Sequence, residues 1–297
     1  MRRLVRAELL KIRTTNTWWI FLIGAFAATA AALAVWILVA NNAIDTAVKG
    51  GDDVFVPPSD QNVSPAGVEE MRRQFELAHD LGRTLVTNAA NIYTSGQFFG
   101  LMFAMLLGTL LITNEYYHQT ATATFLTTPR RTQVIAGKLA TAMLAAAFFW
   151  LFSTVISVAA GSAFFTIKGY APQLAEWPVV RAILLNALAY GLWGVLGVGL
   201  GVLLRSQIGA VVTGTVAYVI GTFLIQNIFG VLYFVFGWHW LVDAMVVWPG
   251  VASQVMISAE PPFSGSPPWW VGGLVLAAYG AVFGLIGTLI TRRRDIS

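Results

Sequence analysis

The residues able to do chemistry in this chain are few, and several of them gather in one place. Between two long apolar runs, Asn114 to Leu139 reads NEYYHQTATATFLTTPRRTQVIAGKL, a polar island holding Glu115, His118, Arg130, Arg131 and Lys138. The three histidines, His79, His118 and His239, stand in separate segments, and none belongs to HExxH or another metal-ligand spacing. His239 with Asp243, and Glu115 with His118, are each about one helical turn apart, a spacing that suits a surface hydrogen bond better than a metal centre. Cysteine is absent, which removes disulfides and thiolate sites. A phosphate-binding loop is absent too: the Gly137-Lys138 pair has Thr132 where the first glycine belongs, and Leu139 follows where Ser or Thr is needed. Ser95-Gly96-Gln97 lies in an apolar run without the rest of any nucleotide-binding signature. The chain is therefore expected to be no enzyme, with neither metal nor cofactor of its own, and to hydrolyse no ATP by a P-loop.

The elements that position the island are set by the bilayer. Charged residues make up 11% of the 297 and hydrophobic ones 57%, far from the roughly 25% charged of soluble domains. Uncharged gaps of 31, 31, 29 and 23 residues separate Arg13 from Asp45, Arg83 from Glu115, Lys138 from Lys168 and Arg181 from Arg205. Each exceeds the roughly 20 residues that cross about 30 Å of hydrocarbon as a helix. A fifth gap, Ser206 to Val242, is 37 residues long, and a sixth apolar run, Trp269 to Thr291, follows the breaker-rich EPPFSGSPP. The fold class expected is an all-α integral membrane protein with six transmembrane helices, forming one domain over residues 1–297. The first apolar run, Trp18 to Ala40, has 23 residues, too long for the roughly 7 to 15 of a signal-peptide core, and reads as a retained helix.

Drawing six spans puts twelve basic residues against three acidic on one side, and six against eleven on the other. The positive-inside rule then makes both termini and the island cytoplasmic in a multi-pass membrane protein. The same parity decides the fifth gap. Two crossings there would carry Arg292, Arg293 and Arg294 outside, so one helix, about Ile208 to Tyr233, is expected. Residues 237–268, with Trp238, Trp240, Trp248 and the Pro249-Gly250 break, then form an external interfacial or re-entrant element.

Residues 1–16 form an amphipathic elbow, with Val5, Leu9 and Ile12 on one face and basic residues around much of the rest, suited to an anionic leaflet. The loop 41–91 lies outside. Ser64 and Pro65 are a candidate helix start, and Val68, Met71, Phe75, Ala78, Leu81, Leu85, Ala89 and Ile92 recur at helical spacing. Glu69 with Arg73 and Arg72 with Glu76 add pairs four apart. This amphipathic helix is expected to pack on the outer ends of the spans.

No charge falls deep inside a span on this reading, which argues against an ion-coupled transporter or an intramembrane hydrolase. The spans instead carry small residues at packing intervals: Gly96 and Gly100, Gly197 and Gly201, Gly280 and Gly284. Sequence alone does not say whether these pack within one chain or against a second copy.

Within the island, Tyr117, Ala121, Thr124, Phe125 and Thr128 fall near one helical face, Pro129 ends the helix, and Arg130 and Arg131 then face phosphates or an acidic partner. This stretch resembles the cytoplasmic segment between the second and third helices of ABC-2 type exporter permeases. There an acidic residue opens a short coupling helix, a Thr follows, and a Pro, basic residues and Gly-Lys lead into the next span. Glu115, Thr120, Leu126, Pro129, Arg130 and Gly137-Lys138 fit those places, and ELLKIRTTNTWW, Glu8 to Trp19, is similar to the opening of such permeases. The chain departs at His118-Gln119, where the family often has Gly just before the Thr.

The resemblance implies the membrane-spanning subunit of an ATP-driven exporter. Two such halves, the same or homologous chains, would assemble with two ABC ATPase subunits that bind the ATP and Mg. Residues 114–138 would be the coupling segment, with Glu115, Tyr117, Thr120, Phe125, Pro129, Arg130, Arg131 and Lys138 as its ATPase-coupling residues. Aromatic, Gly-rich spans lacking charge fit an amphipathic small molecule, peptide or lipid as cargo, with no particular substrate-binding residues indicated and no nucleic acid. The alternative from another class is a non-transporting membrane scaffold or a membrane-bound enzyme.

Overall fold

The computed structural model describes residues 2–15, 17–49, 55–56, 65–119, 131–204, 206–236, 238, 240–262 and 265–293. Among them every regular element is helical, as apolar segments in hydrocarbon must be when no barrel closes their hydrogen bonds. The chain opens with α1 (Arg2–Thr14) and α2 (Thr17–Lys49), then α3 (Pro65–His79), α4 (Leu81–Tyr93) and α5 (Gln97–Tyr117). After residues 120–130 come α6 (Arg131–Ile167) and α7 (Trp177–Leu204). Next, α8 (Gln207–Val216) passes through a π-helical turn, Ala217–Gly221, into α9 (Thr222–Phe236). Two short helices, α10 (Trp240–Val246) and α11 (Pro249–Ile257), precede the final α12 (Trp269–Arg293).

Among the described residues, six stretches are long and apolar enough to cross a membrane: Trp18–Lys49, Leu81–Tyr117, Thr132–Ile167, Trp177–Leu204, Gln207–Tyr233 and Trp269–Ile290. The protein is thus a multi-pass membrane protein. The fifth gap holds one candidate crossing, Gln207–Tyr233, and α10 and α11, bent by 98° to one another, are each too short to cross alone.

Ion pairs define the two ends of the bundle. At one end α1 meets the last turn of α5 and the start of α6 through Lys138 and Glu8. Gly287 of α12 lies beside Val202 near the end of α7, placing the C-terminus of α12 there as well. At the other end Lys168 pairs with Asp45 at 3.2 Å and Arg83 with Glu260 at 3.0 Å. Arg181 donates to the carbonyls of Ser258 and Ala259, closing the chain that leaves α11.

Packing is deepest at the second and fourth spans, and the first, fifth and sixth are mostly uncovered. The glycine pairs explain the close fit. A Cβ on Gly197 would collide with the Met105 carbonyl oxygen, one on Gly108 with that of Gly194, and one on Gly201 would stand 2.8 Å from that of Thr109. Thr109 Oγ1 uses the approach, donating to the Gly197 carbonyl across the interface at 3.0 Å. Gly96 faces Thr29 and Ser153, Gly100 faces Tyr190, and Gly280 and Gly284 face Leu192 and Val195. All three GxxxG pairs therefore pack within the chain, which answers the question that spacing alone left open.

Two local expectations change. The amphipathic stretch from Val68 to Ile92 is two helices, because the Asp80 side chain accepts from the Arg83 amide and caps α4. The second span accordingly begins at Leu81, and α2 runs on to Lys49, so both enter the segment read as the 41–91 loop. Ser64, proposed to start α3, and the side chains of Glu69 and Arg73 lie outside the described residues.

Candidate functional site: a buried charge cluster at the roots of the polar island

The polar island is shorter than its sequence suggests, since α5 continues through Tyr117 and α6 begins at Arg131. Glu115 therefore sits in the last turn of the second span and does not open a separate helix. The structure describes the two roots of the island; Thr120, Phe125, Pro129 and Arg130, and the side chain of Arg131, lie outside the described residues. Tyr117 is exposed, its ring edge-on to His118 at 5.0 Å. His118 then ends α5, and Gln119 adopts a left-handed conformation, φ 55°. That is the backbone region where glycine is favoured after a helix.

At the roots, four charges meet. Lys138, on the second turn of α6, is 1% exposed, yet its ammonium is fully engaged. It donates to Glu8 Oε2 at 3.0 Å and to the Leu111 carbonyl at 3.0 Å, and it pairs with Glu115 Oε1 at 2.9 Å. A lysine has three N–H donors, and these three acceptors match them. Lys11 completes the cluster from α1, 2.9 Å from Glu8 Oε1 and 2.6 Å from Glu115 Oε1. Two lysines and two glutamates make the set neutral, the condition under which buried charge is tolerated.

Each residue's placement follows from its helix. Glu8 is buried on α1, whose arginines Arg2, Arg3, Arg6 and Arg13 are exposed. Lys11, one turn on, reaches back over it. Gly137 precedes Lys138, and a side chain there would press on Leu4 of α1, so the small residue lets α1 lie close to α6. Burial alone would lower the Lys11 pKa, but hydrogen bonds and the charges of Glu115 and Glu8 outweigh it, and the net shift is upward.

Of the residues the sequence singled out, Glu115 and Lys138 are brought together and Tyr117 is not. Glu8 and Lys11 were missed as site residues. The signal was present: Glu8 is the sole acidic residue before Asp45, set among five basic residues within the first thirteen positions. Lys138 also lies inside the packed body of a span, which the reading of charge-free spans did not anticipate. Among the described residues, no three His, Asp or Glu side chains converge as a metal site.

A second concave feature lies at half-depth. The α10–α11 hairpin enters from the end bearing Arg181, and its apex rests against the fifth span, where the Trp248 indole donates to Thr222 Oγ1 at 3.1 Å. Gly221 in the π turn leaves room for that indole, and Gly250 for Thr222. On the other flank Trp193 Nε1 donates to Ser253 Oγ at 2.8 Å. Beneath the apex is an apolar cavity of about 260 Å³ lined by Trp193, Tyr218, Trp248, Tyr279 and Phe283 among others. No protein-family model matches this chain, and no curated protein matches it as a relative.

Proposed function

We propose that the chain is the membrane-spanning subunit of an ATP-driven exporter of the ABC-2 type, coupled to a separate ATPase through residues 120–130. The observation that carries this reading is the neutral cluster of Glu8, Lys11, Glu115 and Lys138. It ties both roots of the 120–130 segment to each other and to α1. A force applied to that segment by a partner is then delivered to α1, α5 and α6 together. The basic end of the bundle is cytoplasmic on this reading, where an ATPase would dock. ATP and Mg would be held by that partner, and a second permease half would complete the path. An amphipathic cargo agrees with the apolar, aromatic cavity beneath the α10–α11 hairpin.

Affinity purification of the full chain from native membranes tests the assignment. A stoichiometric chain with a P-loop that co-purifies supports it, and repeated absence of any such ATPase refutes it. With the complex in hand, Glu115→Ala should lower stimulated ATPase activity while membrane insertion stays intact. Unchanged stimulation would remove the cluster from the mechanism.

A further inference from the structure

The structure assigns a lipid slot between α1, α2, α5 and α6. A cavity of about 330 Å³ is walled by Leu107 of α5, by Leu144, Ala145, Phe148 and Phe149 of α6, and by Leu9 and Ile12 of α1. Its two polar-tipped members, Arg13 and Trp18, stand where α1 passes into α2. Everything deeper is hydrocarbon. We propose that this slot binds one anionic phospholipid, its acyl chain among the α5 and α6 side chains and its phosphate at Arg13.

Three observations commit the slot to that occupant. The first is depth. Phe149 lies eleven residues beyond Lys138 on one helix, roughly 16 Å along its axis, about half the roughly 30 Å of bilayer hydrocarbon. The α6 wall of the slot, Leu144 to Phe149, thus lies roughly 9 to 16 Å beyond Lys138, at the depth of the acyl chains of one leaflet. The second is access: Leu144 and Phe148 are 52% exposed on the outer face of α6, so the mouth faces the bilayer. The third is charge. Arg13 is exposed at the rim with Arg2, Arg3 and Arg6 on the same helix, and the acidic residues nearby, Glu8 and Glu115, are spent on Lys11 and Lys138. The rim is therefore net cationic above an apolar shaft, the complement of an anionic lipid.

Native mass spectrometry of the delipidated full chain, offered equal amounts of a short-chain phosphatidylglycerol and the matching phosphatidylcholine, tests this directly. One phosphatidylglycerol should be retained about fivefold more than phosphatidylcholine, as one basic contact near the headgroup implies. Arg13→Gln should bring that ratio near one. Ala145→Trp, which fills the shaft, should remove the retained lipid of either kind. Equal retention of the two lipids by the unsubstituted chain overturns the proposal, as does an unchanged ratio in Arg13→Gln. Glycerol phosphate without chains competing as well as the intact lipid would reduce the site to a surface anion contact and overturn the slot. The unsubstituted and Arg13→Gln arms decide the matter if Ala145→Trp fails to fold.

Discussion

Lys138→Met is the most informative perturbation, because it removes charge and hydrogen-bond donors from the most buried member of the cluster while nearly keeping its volume. The ammonium loses Glu8 Oε2, Glu115 Oε1 and the Leu111 carbonyl at once. Two carboxylates then remain with Lys11, whose side chain is 49% exposed. Breaking a buried pair costs about 3 to 5 kcal/mol, and the water that reaches Lys11 screens part of that, so about 3 kcal/mol is expected. At about 2–4 °C per kcal/mol the detergent-solubilised protein should melt about 6–12 °C lower. Glu115→Gln keeps an acceptor near Lys138 and should cost only about 1–2 kcal/mol. The double variant restores neutrality with Lys11 and Glu8, and should be more stable than the sum of the single changes by about 1–3 kcal/mol. Thermal unfolding of the four proteins at one scan rate gives the comparison. Strict additivity, or a Lys138→Met cost below about 1 kcal/mol, would refute the view of these residues as one coupled unit.

Three further outcomes follow from particular contacts. Gln119→Gly should raise stability by about 0.5–1 kcal/mol, since the left-handed φ of 55° at the end of α5 costs a non-glycine residue and suits glycine; a loss of stability in the same melting assay would speak against it. Gly197→Val should cut the yield of folded protein sharply, because even its Cβ meets the Met105 backbone and overpacking costs about 1–3 kcal/mol or more; yield by size-exclusion chromatography reads this. The Lys11 pKa is raised above its ordinary value of 10.5 by Glu115 and Glu8. Its contribution to the docking of α1 is therefore complete below about pH 10.5 and is lost as pH rises through the higher folded value. Trypsin cleavage within α1 should stay slow through neutral pH and accelerate only above that range, and acceleration near neutrality would contradict the assignment.

The bilayer made much of this fold legible. Hydrocarbon thickness sets a minimum helix length, so gaps in charge located six spans, and a bias in basic residues required both termini to share an end. The helix breaks were harder to see. Asp80 interrupts a regular apolar periodicity, and only its capping bond to the Arg83 amide separates α3 from α4. The charge cluster was legible only in pieces, because Glu8 and Lys138 are 130 residues apart in sequence and are joined by packing alone. Hydropathy treated Lys138 as the edge of a span. In the structure the edge is set by where α1 lies, and α1 covers the first turns of α6.

That covering helix explains how a fully buried lysine fits a protein whose other charges keep to the rims. A lysine facing lipid at this depth would have to reach for water, whereas Lys138 is turned inward to two carboxylates and a carbonyl. The arrangement has a mechanical consequence. Glu115 lies two residues before the end of α5, and Lys138 seven residues after α6 begins, so the helices that flank residues 120–130 are bonded to each other. Displacing that segment must either carry α5, α6 and α1 as one body or separate Lys138 from Glu115. The second course breaks one ion pair of a buried cluster, although Lys11 stays on Glu115 and Glu8 on Lys138, and the cost of parting buried charges favours the first. If residues 120–130 receive force from an ATPase, as proposed, that force is passed to three helices.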